Sequence, residues 1–123
     1  MTKDEAIFDF FSGFDVAVYA LAAVPDDAVM PYIAYTMSSG AWGDENVGID
    51  AQLWYYTESE LLPEGKASEI GAALGLGGTM LPCDGGAVWL RRGNPWQQSI
   101  FDESEKNARG RRLSLTAQFI TSD

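Results

Sequence analysis

Two stretches of the chain place apolar residues at the spacing of an amphipathic helix. In the first, Thr2 and Glu5 occupy the positions of a capping box, and Gly13 is placed to end the helix. In the second, Pro63 suits the first turn of a helix that ends near Leu74. This second helix carries a narrow stripe of mostly small residues, which suits close packing on a sheet: Ala67, Ile70, Gly71 and Leu74.

Strict alternation of apolar and polar residues predicts two strands. The first covers residues 47–57, and the second has apolar residues at alternate positions from Leu113 to Phe119. On the first strand, Trp54 and Tyr56 fall on the otherwise polar face. Two interpretations stay open for these aromatics: a cross-strand pair covered by a helix, or an exposed contact patch.

Three more strands follow from composition and turn signals. Pro31 to Met37 is rich in aromatic and β-branched residues and begins with proline, which suits the start of a strand. Asp84-Gly85 predicts a two-residue hairpin between residues 79–82 and 87–92. A further strand is predicted from Pro95 to Phe101.

The remaining segments are predicted to be irregular or ambiguous. Val16 to Val24 is apolar on all sides, which fits either a buried strand or a short helix. Turn chemistry marks residues 25–27 and 93–95, and residues 38–46 have the composition of a loop. Asp102 to Gly110 is predicted to be a polar connection.

The predicted order is helix, strands, helix and then an antiparallel β-meander. We therefore expect one α+β domain over residues 1–123, with an antiparallel-rich sheet and two helices packed on one face. The chain has no apolar run near the roughly 18–20 residues that a membrane helix needs, so we expect no membrane partner.

The net charge of −10 is spread unevenly along the chain. Residues 1–90 hold fourteen acidic against two basic residues, a net −12, whereas residues 91–123 hold four against six, a net +2. All five arginines lie in this last part, interleaved with acidic residues. Duplex DNA binding depends on neutralising phosphates, so we expect no such binding from this acidic chain.

The residue types present exclude most catalytic chemistry. Without any histidine, one chain cannot build the usual zinc, copper or non-haem iron sites, nor a Ser-His or Cys-His nucleophile system. The lone Cys83 cannot form an internal disulfide. The acidic residues Asp44, Glu45 and Asp50 lack EF-hand spacing. We expect no cofactor, no metal and no catalytic residue.

Surfaces therefore remain as the candidate sites. Trp, Tyr and Arg are the residue types enriched where proteins bind each other, and the segment from Arg91 to Gln97 combines them with turn residues. Within this segment, a hairpin tip with its tryptophan under the sheet is the alternative to an exposed contact loop. The candidate interface residues are Trp54, Tyr56, Arg91, Arg92, Asn94, Trp96, Gln97 and Arg109.

Five segments resemble, in their order, a family of small tail proteins from long-tailed, non-contractile bacteriophages, the tail terminator or tail-to-head joining proteins. They are VPDDAVMPYIAYTM, AQLWYYTESE, KASEIGAALGLGG, GAVWLRRGNPWQQSI and RRLSLTAQFIT, and they span Val24 to Thr121. The family often has threonine where Ala34 stands, and a more apolar last strand than Ser114 and Thr116 provide. These departures leave a terminator and a neighbouring head-completion or connector protein as alternatives.

The resemblance implies a non-enzymatic virion protein, assembled in the host cytoplasm, that forms a homohexameric ring at the head–tail junction. Such a ring stops polymerisation of the major tail tube protein and docks to the head connector, while DNA passes through its lumen without specific binding. Each subunit of a ring joins one patch to a different patch of its neighbour. The −12 and +2 parts of the chain are candidates for these patches. Reversing Arg91, Arg92 and Arg109 to Glu is then expected to leave a folded monomer that forms no ring.

Two functions from other classes compete with this interpretation. A small acidic binding module, such as a host-protein inhibitor or nucleic-acid mimic, would act as a monomer or dimer. A carboxylate-based hydrolase would use Glu58 and Glu60, which lie two residues apart. Acidic residues between a strand and a helix are more often helix caps or partners of the helix dipole.

Overall fold

The computed structural model describes residues 1–37, 46–102 and 104–121. Within these ranges, two α-helices and six strands follow one another, with one turn of 3-10 helix at Leu21–Ala23. The elements are α1 Lys3–Ser12, β1 Ala17–Ala20, β2 Tyr32–Met37, β3 Val47–Tyr56, α2 Leu61–Leu74, β4 Thr79–Cys83, β5 Gly86–Asp102 and β6 Glu105–Thr121.

The six strands form a single mixed sheet in the order β1-β2-β3-β6-β5-β4. β1 runs parallel to β2, and the other neighbouring strands are antiparallel. The sheet is curled, so that its two edge strands, β1 and β4, both contact α1. At the β4 side, the backbone N–H of Asp84 donates to the carbonyl oxygen of Met1 at 2.8 Å. α1 therefore lies across the gap between the two edges.

Both helices pack on the concave face of the sheet, and together they enclose one apolar core. Ile7 and Phe11 enter it from α1, and Ile70 and Leu74 enter it from α2. The strands contribute the alternate apolar residues that were predicted to share one face. These are Val47, Ile49, Ala51 and Leu53 on β3 and Leu113, Leu115 and Ala117 on β6.

The predicted helices are confirmed. Thr2 Oγ1 accepts a hydrogen bond from the backbone N–H of Glu5 at 3.1 Å, and Glu5 Oε1 accepts one from that of Thr2 at 3.0 Å. This is the reciprocal capping box, and Gly13 follows the last turn. α2 begins two residues before Pro63 and ends at Leu74, where Gly75 adopts a φ of 72°.

The segment from Val16 to Val24 differs from both of its predicted forms. It contains the short strand β1 and the 3-10 turn, and none of its side chains is buried. Val16 and Val18 pack half-buried against the core, which accounts for only part of the segment's apolar character. The predicted turn at residues 25–27 is present, closed by a hydrogen bond from Ala28 N–H to the Pro25 carbonyl oxygen at 3.1 Å.

The second half of the chain is more regular than its sequence suggests. The 93–95 turn prediction is wrong, because β5 runs on through these residues with a register shift between Arg92 and Gln97. A bulge of this kind accommodates a proline, since the irregular residues need no ladder hydrogen bond. The prediction of a polar connection from Asp102 to Gly110 is also wrong, since β6 already begins at Glu105. The predicted loop at 38–46 lies outside the described residues except for Asn46.

Candidate interaction surfaces

The bulge of β5 places Arg92 and Trp96 beneath α2. Arg92 Nη2 donates to the carbonyl oxygen of Gly71 at 2.6 Å, and its guanidinium lies 5.7 Å from the Trp96 ring centroid. A Cβ atom at Gly71 would approach Trp96 Nε1 to 3.3 Å. The small-residue stripe of α2 therefore lets the helix lie close to this tryptophan. Of the two interpretations of this segment, the one in which the tryptophan packs against the sheet describes Trp96, although the segment is not a hairpin tip.

Arg91 points to the opposite, convex face. Its guanidinium stacks on Trp89 at 4.0 Å from the ring centroid, and its Nη2 donates to Asn46 Oδ1 at 3.0 Å. Trp89 Nε1 in turn donates to the carbonyl oxygen of Gly77 at 2.8 Å. Arg91 and Trp89 thus fasten the turn between α2 and β4 to the convex face.

An ion-pair cluster joins the start of α2 to β6. Arg111 Nη1 lies 2.6 Å from Glu60 Oε2, and Arg109 Nε lies 3.9 Å from Glu60 Oε1. Arg111 is only 8% exposed and shares the inner face with Leu113. Sequence reasoning missed Arg111, although its even spacing from Leu113 was the available signal. Glu60 thus has a structural partner, whereas Glu58 is exposed to solvent.

A row of aromatic residues crosses the convex face. The rings of Tyr19 and Tyr32 meet edge to face at 5.9 Å, and Tyr32 lies opposite Trp54 in the β2–β3 register. Trp54 Nε1 donates to Gln52 Oε1 at 3.2 Å. Burial, with a smaller contribution from nearby Asp102, raises the pKa of Tyr32. Trp54 thus has an aromatic residue opposite it on the neighbouring strand, but the helices lie on the other face, so the prediction of an aromatic pair covered by a helix is wrong.

The convex face also carries a charged pair and a second tyrosine contact. Arg112 Nε lies 2.9 Å from both carboxylate oxygens of Asp50, and its Nη2 also contacts Oδ2. Tyr56 is 64% exposed, and its hydroxyl accepts a hydrogen bond from Asn107 Nδ2 at 3.1 Å.

The eight candidate interface residues do not form one patch. Arg92 and Trp96 lie under α2, and Arg109 lies beside its first turn. Arg91 lies on the convex face near Gly78, whereas Trp54 and Tyr56 lie toward the other end of that face. Asn94 and Gln97 are exposed at the bulge. All five arginines contact other segments of the chain: Arg91, Arg92, Arg109, Arg111 and Arg112.

Two exposed apolar surfaces lie at opposite ends of α2, and sequence reasoning did not select either. Beyond its C-terminal end, Leu76 is 99% exposed in the glycine-rich turn, and Met80 is exposed on β4. Near its N-terminal end, exposed Leu61 and Leu62 help to form a groove of about 350 Å³. The groove is lined by Tyr55, Leu61, Leu62, Gly65, Lys66 and Glu69. Neither surface has a periodic pattern that could have identified it.

Within the described ranges, no group of three or more His, Cys, Asp or Glu side chains is placed to hold a metal ion. Asp44 and Glu45 lie outside these ranges, and Asp50 binds Arg112. Over the same ranges, the helices are too short and too polar to cross a membrane. No protein-family model matches the chain, and no curated protein shows significant sequence similarity to it.

Proposed function

We propose that this chain is a structural protein of a virion and forms a homohexameric ring at the head–tail junction of a long-tailed phage. In this role the ring binds the last tail-tube ring, stops further polymerisation and joins the tail to the head connector. The proposal combines the family resemblance of the five segments with the two apolar surfaces at the ends of α2. Nothing is catalysed, and the action is geometric.

The observation that carries the proposal is the pair of unlike surfaces on one subunit. A ring of identical subunits is held by a heterologous interface, in which one patch meets a different patch. Leu76 protrudes at one end of α2, and a groove opens near the other. Exposed apolar surface of this kind is typical of sites that bind other proteins.

Native mass spectrometry and negative-stain microscopy of the purified chain test ring formation. We expect a species of six chains and six-fold rings with an open centre. A chain that stays monomeric at about millimolar concentration, well above the dissociation constants of most assembly contacts, would contradict the proposal.

A polymerisation assay separates a terminator from a neighbouring connector protein. The ring is added to the self-assembling tail tube protein of the same phage, and tube lengths are measured by microscopy. A terminator shortens the tubes and is found at one end only. Rings that form but leave tube length unchanged would favour the connector alternative.

One observation favours the acidic binding module as a second candidate. The exposed side of α1 combines acidic and apolar side chains around a depression of about 370 Å³, lined by Met1, Asp4, Glu5, Phe8 and Asp9. Such a surface suits a basic, apolar partner. A strictly monomeric chain that binds a basic peptide through this surface, with Phe8→Ser abolishing the binding, would support that function.

A further inference from the structure

We propose that Leu76 of one subunit inserts into the α2 groove of a second copy of this chain. The inserting surface, here called the Leu76 knob, consists of Leu76, Met80, Trp89 and Arg91. The α2 groove is the one lined by Tyr55, Leu61, Leu62, Gly65, Lys66 and Glu69. The inference rests on the ring function proposed above and names the contact that builds it.

The turn that carries Leu76 is held in place from both sides. Gly75 ends α2 with its N–H bonded to the Gly71 carbonyl oxygen at 3.0 Å, and Gly77 accepts the hydrogen bond from Trp89. Gly78, at a φ of 83°, packs so closely on Arg91 and Trp89 that a Cβ atom would lie 2.6 Å from Arg91 Cγ. A fixed turn loses little conformational freedom when its exposed leucine docks.

The groove has both the space and the lining for an aliphatic side chain. Leu61 and Leu62 supply exposed apolar surface, and a Cβ atom at Gly65 would meet nothing within 4 Å. One wall is fixed, because Lys66 Nζ donates to the Phe14 carbonyl oxygen at 3.0 Å and pairs with Glu69 at 2.7 Å. The bond to Glu69 is also the main reason that the pKa of Lys66 is raised.

Charge complementarity identifies a second copy as the occupant. Arg91 is the charged member of the Leu76 knob. In the groove, Lys66 offsets the charge of Glu69, which leaves exposed Glu64, next to Gly65 in the chain, as the unpaired negative charge beside the groove. On a chain of net charge −10, most surfaces of a neighbour would repel this carboxylate. A knob that presents an arginine matches it.

The placement of the two surfaces makes the contact propagate from subunit to subunit. They lie at opposite ends of α2, which has 14 residues and is therefore about 21 Å long. A subunit that docks its knob still presents a free groove to the next copy. Such head-to-tail contacts give a ring when the rotation closes and a filament when it does not.

Site-specific cross-linking tests the contact directly. In a Cys83→Ser background, one variant carries Leu76→Cys and another carries Leu62→Cys, both at exposed positions. After treatment with a short bismaleimide, we expect each variant alone to stay uncross-linked and their mixture to give covalent dimers. The chain with both cysteines should give a ladder. Cross-linking of either variant with itself, or none in the mixture, would overturn the proposed contact.

Two variants test the energetic role of the contact. Gly65→Leu adds an apolar side chain to the groove, at a position where a Cβ atom meets nothing within 4 Å, and Leu76→Ser removes the inserted side chain. Each should weaken self-association by about tenfold or more, since burying a leucine contributes at least about one factor of ten. Val29→Ser is the matched control, because Val29 is 78% exposed but lies outside both surfaces. Circular dichroism confirms that each variant is folded.

The outcomes separate the contact from the proposed function. Wild-type hexamers that persist in both Gly65→Leu and Leu76→Ser would refute the contact and leave the ring function standing. A cross-linked ladder that forms open chains and no rings would support the contact and contradict the ring. A wild-type chain that forms no assemblies, together with cysteine variants that give no cross-links, would overturn both.

Discussion

Gly110 lies on β6, which runs between β3 and β5 in the sheet. It is paired with Trp54 on β3 and with Ile100 on β5. A Cβ atom there would overlap the carbonyl oxygen of Leu53 and would lie 3.1 Å from both Trp54 Cε3 and Ile100 Cγ1. Backbone oxygen cannot move aside without disturbing the ladder. The aromatic row on the convex face therefore depends on one residue without a side chain.

We expect Gly110→Ala to lower the free energy of unfolding by about 1–3 kcal/mol, the usual cost of overpacking. Gly65→Ala is the matched control, because its Cβ atom enters open space on α2 and should stabilise the helix by up to about 1 kcal/mol. Urea unfolding followed by tryptophan fluorescence measures both. Equal effects of the two substitutions would contradict the packing argument.

Glu60 is the acidic partner of the nearly buried Arg111, and Glu58 carries the same charge in the same turn. Glu60→Gln should destabilise the fold by about 1–2 kcal/mol, less than the loss of a fully buried pair, because Glu60 is 49% exposed. Glu58→Gln should change stability by less than about 0.5 kcal/mol. Thermal unfolding measures both, and a larger effect at Glu58 would point to a role beyond the fold.

At the scale of elements, α1 lies across the gap between the edge strands, so its first turn matters to the whole sheet. Thr2→Ala removes the side-chain half of the capping box and should cost about 1 kcal/mol, whereas Thr2→Ser should keep most of it. The comparison uses the free energy of unfolding in urea near neutral pH. An equal loss in Thr2→Ser would show that the hydroxyl is not the stabilising group.

The same capping box should show a pH dependence. Hydrogen bonds from the Thr2 backbone N–H, and then its side chain, hold the pKa of Glu5 below its usual value of 4.5. A lowered pKa stabilises the folded state above the unfolded-state value, and this contribution is lost as the pH falls through the folded-state value. Thr2→Ala keeps the backbone N–H and removes only the side chain, which is the smaller of the two causes. The stability difference between wild type and Thr2→Ala should therefore shrink modestly from about pH 7 to about pH 3. A constant or growing difference would contradict this coupling.

Elements with a strong local pattern were predictable, and those decided by partners were not. The Thr2 cap, the alternation of β3 and the Asp84-Gly85 hairpin each specify their structure within a few residues, and all are present. The stretch at 93–95 has local turn chemistry, but pairing with β6 carries β5 through it. β1 likewise depends on its parallel pairing with β2, which no local pattern records.

The candidate site was less predictable than the fold for the same reason. Residue type marked Trp96 and Arg92 as interface candidates, whereas the structure shows them in contact with Gly71, through the packing of α2 on the sheet. Leu76 and Leu62 gave no signal, because exposure of an apolar side chain is decided by tertiary structure. An interface built from such residues is visible only once the fold is known.

At the scale of the whole molecule, the clustered arginines do not create a basic surface. Arg111 pairs with Glu60 and Arg112 with Asp50, while Arg92 donates to a backbone carbonyl. Arg91 is stacked on Trp89 and bonded to Asn46. These arginines are thus engaged within the fold and form no continuous basic patch, although the guanidinium of Arg91 still gives the Leu76 knob a positive charge. The chain as a whole has a net charge of −10.

We therefore expect the assembled protein not to bind duplex DNA, even though DNA would pass through the proposed ring. Fluorescence anisotropy with a labelled duplex should show no binding at about 0.1 mM protein, within or above the range of ordinary non-specific dissociation constants. Asp50→Asn releases Arg112 and lowers the net negative charge by one unit, yet should still give no binding, because the rest of the acidic surface repels phosphates. Wild-type binding that weakens steeply with added salt would show that the assembly presents cations that the single subunit does not.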